Sequence, residues 1–163
     1  MFKSRIFGMM ALIALAMSIF LVGNALAGEK FKCRVVWFST KWVPINMADE
    51  KDHVVGLNEF KGIIFCMEGM TFLDGVLAYG NAIVDISPKI GPSGGGYNIF
   101  TDKDGDKIYM KWGWKPTGPN PLTFYKGTGK FEGIQGKGTW SLVNTADPNL
   151  WYCPIEGEVE LPR

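Results

Sequence analysis

The sequence predicts an all-β protein, a single antiparallel up-and-down β-barrel of about eight to nine strands following an N-terminal signal peptide. Three observations carry this expectation. After Ala27 no segment sustains an apolar period near 3.6, whereas short stretches alternating with period two recur at roughly even spacing. Glycine-rich turns separate them, among them Gly127–Trp140 (GTGKFEGIQGKGTW), which reads as a hairpin near the closing edge. The first and last strand candidates each carry one charged and one apolar face, so a meander closing on itself would set them side by side. Closure would also remove the open edges that invite aggregation.

Lys3 and Arg5 precede an apolar run from Ile6 to Val22, and Ala25-Leu26-Ala27 supplies the small residues of a cleavage site, so cleavage is expected after Ala27. The run approaches bilayer-spanning length, but the small-x-small site follows it where a peptidase acts, and no cysteine stands at Gly28 or Glu29 to accept a lipid. The expectation is an exported domain over residues 28–163, periplasmic or extracellular, with no stable membrane anchor. Losing Lys3 and Arg5 changes 17 basic and 16 acidic side chains to 15 and 16, a net of −1. Without a concentrated basic face, nucleic acid is not an expected partner. Homo-oligomerisation is left open.

Along the chain, Phe31–Phe38 alternates with Phe31, Cys33, Val35 and Trp37 on one face, against Lys32 and Arg34. Residues 39–52 read as an exposed loop. Strands are expected at His53–Glu59, Gly62–Glu68 and Gly75–Ile86, and Pro88 with Gly91-Pro92-Ser93-Gly94-Gly95-Gly96 reads as a second loop. Tyr97–Thr101 and Asp106–Lys115 flank a tight turn at Asp102-Lys103-Asp104-Gly105. In the second arm Ile108, Met110, Trp112 and Trp114 share a face. Strands at Leu122–Gly129 and Gly138–Asn144 follow, and a last strand turns Trp151, Cys153, Ile155, Val159 and Leu161 inward. Of the three cysteines, Cys33 and Cys153 lie on the inward phases of the first and last strands and are the expected disulfide; Cys66 is expected as a buried structural thiol.

Tyr97–Trp112 (YNIFTDKDGDKIYMKW) and Gly127–Trp140 resemble the barrel of allene oxide cyclase-like and dirigent-like proteins, and the ending EGEVEL at residues 156–161 is similar to the closing strand of bacterial relatives in that group. The resemblance implies a calycin-like barrel with an apolar cavity, in families that act on or guide hydrophobic small molecules. No catalytic residue is carried over by it.

The expected role is therefore binding of a hydrophobic small molecule in the barrel, or a structural one, with an isomerase or cyclase as the alternative and a protein-interaction module using Lys41–Asp52 as a third. Trp37, Tyr97, Met110, Trp112, Trp114 and Trp140 are the expected cavity residues, lining or filling it, because aromatics bury large areas and an eight-stranded barrel holds one small ligand. Glu68 is the weak catalytic candidate, a carboxylate that could enter the lumen. Gly91-Pro92-Ser93-Gly94-Gly95 matches G-x-S-x-G, and His53, Asp85 and Ser93 stand in an order known in serine proteases, but a nucleophile elbow needs a helix after the serine. Asp102, Asp104 and Asp106 hint at a calcium loop whose glycine is one position early and whose twelfth position is Gly113, so a plain turn is expected. A single histidine, His53, read as a surface residue, and no usual zinc-ligand spacing leave no metal or cofactor expected.

Overall fold

The computed structural model describes residues 28–48 and 50–161; the expected signal segment and the expected cleavage after Ala27 lie outside the described residues. Nine strands run in chain order: β1 (Glu29–Asn46), β2 (Val54–Glu68), β3 (Leu77–Ser87), β4 (Gly91–Thr101), β5 (Lys107–Trp114), β6 (Asn120–Gly127), β7 (Gln135–Trp140), β8 (Val143–Asn144) and β9 (Leu150–Glu160). Each of β1 to β6 pairs antiparallel with the next, β7 pairs with β9, and β9 returns to β1. Ten residue pairs from Glu29↔Val159 to Phe38↔Leu150 make that closure. The result is a closed eight-stranded barrel, with short β8 added beside β9.

Alternation sets what fills it. Phe31, Cys33, Val35 and Trp37 of β1 are all buried, as the period of two requires, and Ile108 and Met110 of β5 join them. One end is packed solid. Two 3-10 turns, Thr71–Leu73 and Gly129–Phe131, fold across it and bring in Met70, Leu73, Phe131 and Ile134. Phe124 meets Phe31 edge-on at 5.5 Å beneath them.

Several expected boundaries move. The first strand continues through Trp42 and Pro44 to Asn46, where a loop is expected, because it keeps pairing with Val54–Glu59 after β9 has ended at Phe38↔Leu150. Pro44 is tolerated there because this stretch has only β2 as a neighbour. The two strands expected between His53 and Glu68 are one. Gly91–Gly96, expected as a loop, is the first half of β4 and pairs with β3 along its whole length. A Cβ at Gly96 would strike the Asn81 carbonyl oxygen, so close strand approach is what these glycines serve. Pro92 lies before the pairing with β5 begins at Gly94, where its missing N–H costs nothing. The Gly127–Trp140 stretch is not a hairpin by itself: it holds the end of β6, a 3-10 turn and β7, and β7 pairs back on Asn120–Phe124. Leu161, expected inward, is exposed.

The disulfide joins Cys33 to Cys66, not to Cys153. All three cysteines point inward and β1 does adjoin β9; register decides the partner. Cys33 stands directly opposite Cys66 on β2, whereas across β9 it faces Ile155, and Cys153 faces Val35.

Candidate functional site

The half of the barrel away from the 3-10 turns is hollow. A cavity of about 410 Å³ opens there, with exposed Asn144, Pro148 and Asn149 at its rim. All six tryptophans of the chain line it: Trp37 and Trp42 from β1, Trp112 and Trp114 from β5, Trp140 from β7 and Trp151 from β9. All but Trp42 are tied together through ring contacts, with Phe60 as the link between the two groups. Trp112 meets Trp140 edge-on at 5.1 Å, Trp114 meets Trp140 at 6.1 Å, and Phe60 touches Trp37 at 4.8 Å and Trp151 at 5.7 Å. The rings find room because the β3 side is small. Inward positions there are Ala78, Gly80, Ala82 and Val84, and Phe60 lies over Gly80 where a Cβ would collide with it.

Polar groups are few and placed. The indole nitrogen of Trp112 donates to Asn98 Oδ1 at 3.1 Å, that of Trp140 donates to the Gly113 carbonyl at 3.0 Å, and the Ser39 hydroxyl donates to Asn58 Oδ1 at 2.8 Å. Burial pushes the free Cys153 thiol up to about 12, against weaker hydrogen bonds from Trp37 and Trp151, so at neutral pH it is a protonated wall group and a poor nucleophile. Among the described residues lining the cavity there is no Asp, Glu, His, Lys, Arg or Tyr.

Of the expected cavity residues, Trp37, Met110, Trp112, Trp114 and Trp140 come together here. Tyr97 does not. It lies on the outer surface, half exposed, near Tyr125 at 6.2 Å, because Asn98 and Phe100 take the inward phase of β4. Glu68 is exposed at the far end of β2, opposite Lys32, and is absent from the lining. Trp42, Phe60, Asn58, Asn98 and Trp151 are lining residues not singled out from sequence. Asn98 was findable: it is a polar residue two positions from Phe100, on the same strand phase.

The remaining candidates are structural in placement. His53, expected at the surface, has a side chain only 12% exposed, and its Nε2 lies 2.8 Å from Asp85 Oδ1. Ser93 stands opposite Asp85 on β4, so the acid is between histidine and serine, and a relay needs the histidine in the middle. At the 102–106 turn Asp102 Oδ1 accepts the backbone N–H groups of Asp104 and Asp106 at 2.9 Å, and Lys130 Nζ pairs with both Asp102 and Asp104. The lysine holds Asp102 below the usual carboxylate range, and Lys103 and Lys130 hold Asp104 at about 2. This ties the β4–β5 turn to the 129–131 turn, as a cross-brace at the closed end.

These features define a closed small β-barrel with an aromatic-walled cavity. No protein-family model matches the sequence, and no curated protein does. Among solved structures the barrel is similar to a pyocyanin demethylase, with a TM-score of 0.50 and 14% identity over 79% of this chain and 99% of that one. At that identity the likeness concerns the fold alone.

Proposed function

We propose that residues 28–163 form an exported barrel of the allene oxide cyclase- and dirigent-like kind that binds a hydrophobic small molecule in its tryptophan-lined cavity. The observation that carries this is the gathering of all six tryptophans on one opening of about 410 Å³, a size within the usual range of ligand sites. Indole rings packed only to fill a barrel would be buried. Here Trp42 is 42% exposed, and Trp112, Trp114, Trp140 and Trp151 are half-buried around open space. Binding is favoured over isomerisation because the described lining has no acid or base to move a proton, and Glu68 is elsewhere. Titration with a panel of neutral hydrophobic compounds tests it: with every tryptophan at the site, binding should quench or shift most of the emission. A flat response across the panel would sink the proposal.

A second reading rests on the outer face. Ile63 opposes Leu77 and Leu57 opposes Ile83 across β2 and β3, and all four are exposed. The pairs Glu59↔Asn81 and Lys61↔Tyr79 stand between them, so the face is apolar at both ends and polar in the middle. Exposed apolar side chains of this kind mark association surfaces, and self-association would register as a concentration-dependent mass in sedimentation.

A further inference from the structure

We propose that the cavity takes a neutral, flat, apolar molecule carrying a hydrogen-bond acceptor, a carbonyl oxygen or a ring nitrogen, and that the Asn98 carboxamide is the group that reads it. This rests on the binding role proposed above and names its ligand class. Asn98 sits in the middle of β4, between Gly80 on β3 and Met110 on β5, and is 4% exposed. Its orientation follows from chemistry. The Trp112 indole nitrogen can only donate, so the atom it meets at 3.1 Å must be the amide oxygen. That leaves the Nδ2 hydrogens pointing elsewhere, and no described residue supplies them with an acceptor. The amide nitrogen is not sealed off, since among the described residues the buried side-chain atom left without a hydrogen bond is Asp102 Oδ2; the Nδ2 donors are open to the cavity, where an acceptor must come from water or from a ligand. Asn98 lines the cavity, so a ligand acceptor placed there completes it.

The rest of the wall defines the rest of the ligand. With no charged side chain among the described lining residues, a carboxylate or ammonium entering the site would lose water and gain no counter-charge. Trp112 and Trp114, each edge-on to Trp140, offer with it ring faces that suit a planar body. Ala82, a small lining residue on β3 next to the strand of Asn98, keeps that side of the wall low, so a flat molecule can approach the amide.

The test uses matched pairs followed by tryptophan emission, corrected for ligand absorbance. 9-Fluorenone should bind about 2- to 10-fold tighter than fluorene, as a neutral hydrogen bond contributes, and acridine against anthracene asks the same of a ring nitrogen. Fluorene-9-carboxylate should bind worse than fluorene. Asn98→Leu should abolish the preference within each pair by weakening only the acceptor-bearing member. Asn98→Asp, read at a pH where the carboxyl is ionised, keeps an oxygen for Trp112 but loses the donors and should do likewise, whereas its neutral form would still donate. Equal affinities within both pairs in the wild type, a preference that survives both variants, or a carboxylate that binds tightest would each overturn the assignment. If the two members of each pair bind equally, the binding role stands without Asn98; if no probe binds, the role and the assignment fail together. Should both variants misfold, the wild-type pairs decide.

Discussion

Cys153 shows how one residue's surroundings set its chemistry. It is the free cysteine of a chain expected to be exported, yet burial among Trp37 and Trp151 keeps it protonated. Its folded value of about 12 stands above the ordinary 9.0, so the folded state holds a proton that the unfolded chain has lost between those values. The stability it provides is intact below about pH 9 and lost as pH rises toward 12, at most about 1.4 kcal/mol per pH unit. Urea unfolding across that range should show a steeper alkaline decline in the wild type than in Cys153→Ala, and the native thiol should resist thiol reagents until the protein is unfolded. Equal slopes would mean that the thiol is not shielded. Tyr97 carries a different lesson at this scale. Its own aromatic character does not say which way it faces; the phase follows from Phe100, whose inward side chain takes Asn98 in with it and turns Tyr97 out.

Among the elements, β1 and β2 form a lip that outlasts the barrel, and glycine sets its geometry. The Trp42 ring lies on Gly56, where any Cβ would collide with it. Gly56→Val should displace the ring, cost about 1–3 kcal/mol as an overpacked site does, and alter Trp emission together with probe affinity; an unchanged emission spectrum would argue against this seat for Trp42. At the opposite end, the cross-brace through Lys130 has a pH signature. Asp104 is depressed to about 2 and Asp102 is also lowered, so the stability they lend is present above 3.8 and fades as pH falls through their folded values. The stability difference between wild type and Lys130→Met should therefore be constant from about pH 5 to about pH 10, shrink on acidification, and fade again in alkali once the unfolded chain's lysine loses its proton. Calcium is not needed to explain these aspartates, because a lysine and two backbone N–H groups already satisfy them.

For the whole molecule, closure and disulfide act together. Cys33–Cys66 spans 33 residues, and in the chain-entropy picture a loop of that length contributes about 3–4 kcal/mol. Reduction should lower the melting temperature by about 10 °C, and non-reducing peptide mapping should recover Cys33 linked to Cys66, with Cys153 free. Recovery of a Cys33–Cys153 peptide would overturn the β1–β2 register. The barrel itself was legible because period two, repeated with glycine punctuation and charged-faced terminal strands, admits few other architectures. So were the inward tryptophans of β1 and β5, since alternation places them without reference to partners. The run Gly91–Gly96 misled for a physical reason: glycine signals a loop locally but also permits strands to approach closely, and only the presence of β3 and β5 selects between the two. What the sequence determined by itself is periodic and local: strand character, inward phase along Phe31–Trp37 and Ile108–Trp114, and the turn at 102–105. Which strand lies beside which, and at what register, depends on contacts far apart in the chain. Those contacts gave Cys33 its partner, sent Tyr97 and Glu68 outside the cavity, and gathered six scattered tryptophans around Asn98.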